Sequence, residues 1–400
     1  MSASNTLLLR GGHLLDPLSG ESVQENLGVA DGMIIPVENV RGGFDTELDV
    51  TGQTVIPGLI DAHFHAYAHT IGGPELETRH LSYVAINGMR RLRKALRRGF
   101  TTIRDVAGGD LGLQQALEIG EEPACRYLFT GPALSQTGGH GDARPAEYDI
   151  CLNHGHLGEV VDGIDDIRRA VRERFRIGVH CIKIMASGGV VSPTDPLRIP
   201  QYSPEEIAAA CDEATRRGSY VAAHTYTADA VIHAVTNGVL SVEHGNLIDT
   251  QAAEIMAERG TYLVPTLVAY DAMNRRGDAV GLSTEGKKKN VEVLDAGKHA
   301  IQMAAAAGVQ IGFGSDLMGD LEDDQLCGIA LQAEVQKPLE LLRSLTTINA
   351  ELIGAPELGT LAPGTPADLL ILRDDPLIQP QVLWDTTRSR TVIRGGEIVA

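Results

Sequence analysis

The stretch Val55-Ile56-Pro57-Gly58-Leu59-Ile60-Asp61-Ala62-His63-Phe64-His65 reads as a strand that ends in two histidines. Residues two apart on a strand share a face, so His63 and His65 point one way and Phe64 the other. Working outward, seven further β-like runs follow: Phe100–Val106, Arg126–Leu134, Val179–Met185, Tyr220–His224, Leu240–His244, Thr261–Leu267 and Gln310–Asp316. Helix-like stretches separate them. Ala85–Arg98 carries Met89, Leu92 and Leu96 on one face, and Pro204–Arg217 opens after Ser203 as N-cap with Glu206 at its third position. Eight strands alternating with helices over roughly 300 residues is the pattern of a (β/α)8 TIM-type barrel.

The two ends differ from this middle. Residues 6–57 and 358–400 hold short β-like runs punctuated by Gly and Pro, each too short for a core of its own. The expected architecture is therefore α/β: a catalytic barrel over 58–357 and a small composite β-sandwich domain from 1–57 plus 358–400.

Chemistry in such a barrel sits at the C-terminal ends of the strands. Here those ends carry His63 and His65 (first strand), Lys183 (fourth), His224 (fifth), His244 (sixth) and Asp316 (eighth). Taken singly, Asp316 reads equally as a helix cap and Lys183 as a snorkelling surface residue. Together, six polar residues at one end of one barrel point to a metal site, because imidazole and carboxylate suit zinc and similar divalent ions.

Composition narrows the function classes. The chain has 400 residues, 34 Lys plus Arg against 53 Asp plus Glu, and a formal charge of −19, a poor match to nucleic acid or an anionic membrane surface. No apolar run approaches the roughly 18 residues of a membrane span, and the start MSASNTLLLRGGHLLD has too short an apolar core for a signal peptide. The five cysteines (Cys125, Cys151, Cys181, Cys211, Cys327) are scattered without CxxC, as reduced thiols of the cytoplasm are.

The segments VIPGLIDAHFH (55–65), TTIRDVAGG (101–109), GGHGD (138–142), IKIMASGGVVSPTDP (182–196), AAHTY (222–226), SVEHGNLID (241–249), FGSD (313–316) and LGTLAPGTPADLLIL (358–372) follow one another in a familiar order. The chain resembles the amidohydrolase superfamily, in its binuclear branch related to imidazolonepropionase and the Xaa-Pro and Xaa-Arg dipeptidases. The resemblance implies two divalent metal ions, most simply Zn2+. His63 and His65 would hold the first, His224 and His244 the second, Asp316 would touch the first, and Lys183, carboxylated by CO2, would bridge both. Such a carbamate needs a neutral amine, which two adjacent cations favour.

The implied reaction is hydrolysis of an amide-type C–N bond in a dipeptide, N-acyl amino acid or related amide or carbamate. Asp316 would accept the proton of the attacking water and deliver it to the leaving amine. Tyr226 and His140 match positions that contact substrate in related dipeptidases, a reading that outweighs loop packing for Tyr226 and a flexible loop residue for His140. Arg275 and Arg276 suit a substrate carboxylate or a solvated loop. Asp61 reads as an acceptor for a ligand imidazole or as barrel floor, and Cys181 as core. The segment Ser135–Gly163, with His154 and His156, is expected to cover the mouth. A deaminase or cyclic-amide hydrolase is the alternative on this barrel, weakened because Thr227 stands where mononuclear deaminases often carry Glu. A non-enzymatic metal-binding scaffold is opposed by the full six-residue set. The expected form is a cytoplasmic homo-oligomer acting on a small-molecule amide, with no nucleic acid and no membrane.

Overall fold

The computed structural model describes residues 6–40, 43–72, 74–120, 122–145, 155–192 and 195–399. The central strands run Leu59–Phe64, Phe100–Asp105, Arg126–Phe129, Ala133–Ser135, Ile182–Met185, Val221–Thr227, Ser241–Leu247, Tyr262–Val264 and Gln310–Ile311. Neighbours in this series pair in parallel in two arcs, one ending at Arg126–Phe129 and the other starting from Ala133–Ser135. Backbone hydrogen bonds join the arcs: His180 N donates to Phe129 O (2.8 Å), and Ala62 N to Phe313 O (2.9 Å). Helices Leu81–Arg97, Ile164–Arg176 and Pro204–Arg216 lie among those between the strands. Leu92 and Leu96 are buried on the first as the spacing predicts, while Met89 is partly buried against the same cluster. Ser203 and Glu206 form a reciprocal capping box on the last of the three.

Four strand readings need correction. Val55–His65 is parted at Gly58 into Thr54–Pro57 and Leu59–Phe64, which belong to different sheets. Arg126–Leu134 is two strands, because Gly131 adopts a left-handed φ of 69° and Pro132 has no N–H for the ladder. The strand expected over Thr261–Leu267 stops at Val264, where Pro265 ends the ladder and helix Leu267–Arg276 follows. Of Gln310–Asp316 only Gln310–Ile311 is laddered. Beyond it the Asn349 carboxamide takes over, accepting from Phe313 N (3.1 Å) and donating to Phe313 O (2.9 Å) and Ile60 O (2.7 Å).

Both ends of the chain enter one hydrogen-bonded sheet of eight strands. Thr54–Pro57 lies between Thr6–Leu15, which it meets in parallel, and Leu369–Leu372, which it meets antiparallel. The period of two sorts the side chains of Leu369–Leu372. Leu369 and Ile371 join an apolar cluster with Leu9, Val29 and Val55, while Leu370 and Leu372 join the cluster of Leu92, Leu96 and Phe100 on the barrel. The chain passes from sheet to barrel at Gly58, where a Cβ would lie 2.1 Å from Thr101 Oγ1. Among the described residues no helix is long and apolar enough to cross a membrane, and Cys125, Cys181, Cys211 and Cys327 are free thiols. Cys151 and His154 lie outside the described residues.

Candidate metal centre

All six strand-end residues line one cavity of about 250 Å³. The last of them, Asp316, is placed by a close backbone crossing. A Cβ on Gly314 would lie 2.4 Å from His63 Cβ, so only glycine lets the eighth strand run against the first. Asp316 N then donates to His63 O (2.8 Å), and its carboxylate faces three imidazoles. Oδ1 is 2.9 Å from His65 Nε2 and 3.4 Å from His63 Nε2, and Oδ2 is 3.7 Å from His244 Nδ1. Asp316 therefore caps no helix. His63, His244 and Asp316 offer ligand atoms within 4.8 Å of one another, a group able to hold a metal.

Asp316 (φ 52°) and His244 (φ 75°) are two of four described non-glycine residues in the left-handed region. Such backbone costs on the order of 1–3 kcal/mol per residue and concentrates at functional sites. His224 stacks on His140 (ring centroids 4.2 Å apart) and meets His244 edge-on at 4.5 Å, and its Nε2 donates to Gly188 O (3.2 Å). Lys183 Nζ is buried and has no hydrogen-bond partner among the described residues.

Burial sets the electrostatics. Lys183 is pushed down to about 8, desolvation outweighing the pull of Glu243 and Asp316 toward the ammonium. Burial and neighbouring cationic partners hold His224 and His244 well below the usual histidine range. Burial also opposes the charge on Asp316, but the imidazoles of His63, His65 and His244 outweigh it and keep the carboxylate ionised. A buried amine without a hydrogen-bond partner among the described residues, four imidazoles and one carboxylate are a donor set that fits the binding of divalent metal.

The remaining site readings divide. His140 and Tyr226 both line the cavity. His140 Nδ1 is 2.9 Å from Ser192 Oγ, which donates in turn to Asp195, and a Cβ at Gly189 would fall 1.9 Å from the His140 ring. Tyr226 stacks on His244 at 5.1 Å, and Tyr270 OH donates to its hydroxyl at 3.0 Å. Arg275 and Arg276 do not line this cavity. They occupy the last turn of helix Leu267–Arg276 and are engaged by Asp271 and Asp324. Arg144, bonded to Asp142, is on the cavity wall instead. Of the covering segment, Gly141, Asp142 and Leu157 reach the wall, while His156 donates its backbone N–H to Glu77. Asp61 orients no imidazole. It accepts from His63 N, Ser315 N and Gln325 Nε2, tying the first strand to the last. Cys181 is fully buried, and Thr227 caps helix Ala228–Thr236.

Sequence reasoning missed Glu243 and Arg104. Glu243 Oε2 lies 2.7 Å from His63 Nδ1, and Arg104 donates to Glu243 Oε1 at 2.8 Å, all three side chains being buried. Burial acts against the Glu243 charge, but Arg104 and His63 reverse this and hold it well below the usual carboxylate range. The available signal was charged residues inside apolar strands, Arg104 in TTIRDVA and Glu243 in SVEHG.

Residues 54–399 match the Amidohydrolase family. Ochratoxinase from Aspergillus niger is 32% identical over 362 residues, covering 86% of this chain and 75% of that protein. A prolidase crystallised with N-methylphosphonate-L-proline superimposes with a TM-score of 0.94 at 40% identity, over 98% of this chain and 99% of its own. A Xaa-Pro dipeptidase with methionine bound in its active site superimposes with a TM-score of 0.87 at 26% identity, again over 98% and 99%. The chain belongs to the amidohydrolase family and is a hydrolase of amide-type carbon–nitrogen bonds.

Proposed function

We propose that the protein hydrolyses dipeptides or N-acyl amino acids bearing an apolar group, using two divalent cations, zinc in the simplest case. His63, His65 and Asp316 would hold one, His224 and His244 the other, with Lys183 carboxylated between them. The observation that carries this reading is Lys183 Nζ, buried without a partner among those five side chains. When bound, such cations supply an acidified water and a Lewis acid for the scissile carbonyl.

The protein's own groups complete the chemistry. Asp316, held ionised among three imidazoles, takes the proton of the attacking water and passes it to the leaving nitrogen. Tyr270 donates to Tyr226, so the Tyr226 hydroxyl proton is available to a substrate oxygen. His140, anchored at Nδ1, offers its other nitrogen to the substrate. Ile71, Leu76, Val190, Val191, Met273 and Leu321 give the cavity an apolar wall, which suits an uncharged side chain. Relatives named for ochratoxin and for Xaa-Pro dipeptides fit the same class.

Metal analysis and a substrate screen test this together. Two divalent cations per chain are expected, with apolar N-acyl amino acids and dipeptides cleaved in preference to charged ones. Absence of cations, with no amide cleavage after reconstitution, would overturn the proposal. Ammonia release from aminated heterocycles without amide cleavage would replace it with deamination.

A further inference from the structure

Beneath the histidine cluster lies a buried polar unit outside the ligand set proposed above. Arg104, on the second barrel strand, donates through NH2 to Glu243 Oε1 (2.8 Å) and through Nε to Ala62 O (2.5 Å), one residue before His63. One guanidinium thus holds both the carboxylate and the strand that carries the imidazole. Ser241 Oγ also donates to Glu243 Oε1 (2.5 Å), leaving Oε2 for His63 Nδ1 at 2.7 Å. Arg104 and Glu243 are completely buried.

An ionised carboxylate can only accept, so Nδ1 of His63 carries a proton, and Nε2, the nitrogen facing Asp316, is the one that would meet a cation. His65, on the same strand, has a weaker arrangement, its Nδ1 meeting only the Ala107 carbonyl at 3.4 Å and Asp105 at 3.9 Å. We propose that Glu243, backed by Arg104, is a positioning residue that fixes the tautomer and ring orientation of His63 and strengthens it as a ligand of the first cation. The proposal rests on the two-cation reading. It also accounts for a buried ion pair whose desolvation an apolar barrel floor would avoid.

A double variant separates this role from a structural one. Arg104→Met with Glu243→Leu replaces the pair by apolar side chains of similar length and leaves no uncompensated charge. The variant is expected to fold by circular dichroism, yet to lose one of its two cations to a chelator with an affinity reduced about 10- to 100-fold, the other cation staying near wild type. Glu243→Gln keeps an oxygen to accept from Nδ1–H and removes the charge, so a smaller loss at the same cation is expected. If the double variant does not fold, Glu243→Gln carries the test by itself, with chelator affinity as the readout. Wild-type affinity for both cations in a folded variant of either kind would overturn the positioning role. A wild-type protein that binds no cation would overturn the two-cation reading and the positioning role with it.

Discussion

Replacing Asp316 by Asn keeps the side chain's size and removes its ability to accept and deliver a proton. Turnover of a folded, metal-replete Asp316→Asn protein is expected to fall by about 10²–10⁴-fold or more. A residue serving only as a helix cap would instead cost about 1 kcal/mol of stability and leave turnover near normal, so steady-state rates and a denaturation curve distinguish the two. Lys183→Ala should lose activity and the bridge between the two cations, with short-chain carboxylic acids restoring part of the rate. Full activity with both cations retained would show that no carbamate is needed. At Gly189 a methyl group would enter the His140 ring, so Gly189→Ala should damage turnover far more than the melting temperature. Asp316 and Lys183 were legible because strand periodicity puts every second side chain on one face, and because their types are rare at strand ends, whereas the tight contact of Gly189 with His140 was not. Arg104 and Glu243 were not, since 139 positions separate them and only barrel closure brings them together.

At the scale of single elements, the helix Pro204–Arg216 was readable to within one residue because its start is written chemically, in Ser203, Pro204 and Glu206. Ser203→Ala should cost about 1 kcal/mol in urea unfolding and leave activity unchanged. The third barrel strand was read as continuous because Tyr127–Thr130 are β-formers and strand pairing resumes at Ala133, directly past the Gly131–Pro132 break. Next to it, His180 sits against Tyr220 and near Arg104, and burial followed by Arg104 pushes its pKa down from 6.5 to about 4. The folded protein thus prefers the neutral ring. Its contribution to stability is fully present above about pH 6.5 and is lost as pH falls toward about 4, where the unfolded chain takes up the proton first. Melting temperatures between pH 7 and pH 4 should therefore fall more steeply for wild type than for His180→Gln. Parallel curves would show that His180 does not contribute.

For the whole molecule, the alternation of strands and helices made the barrel legible, and the shared Gly- and Pro-rich style of the two ends made their association legible. How the ends pair was not, because register depends on which faces are buried. Val392 and Ile393, near the end of the chain, belong to different apolar clusters, Val392 with the barrel and Ile393 with the terminal sheet. Removing residues 390–399 should therefore lower the stability of both parts. Calorimetry is expected to show one transition shifted down as a unit, and an unchanged barrel transition would refute the coupling.

The pairing of Ile56 with Leu370 also has a consequence in time. Roughly 300 residues are synthesised between these partners, which at about 5–20 residues per second takes on the order of 15–60 seconds. Throughout that interval Thr54–Pro57 waits on the ribosome without the neighbour on its far side, whereas Thr6–Leu15 already has Ser22–Ala30 and Thr46–Asp49 beside it. The open edge of Thr54–Pro57 is then the part of the nascent chain with most to gain from a chaperone, and crowded or rapid expression should expose this before any weakness of the finished enzyme.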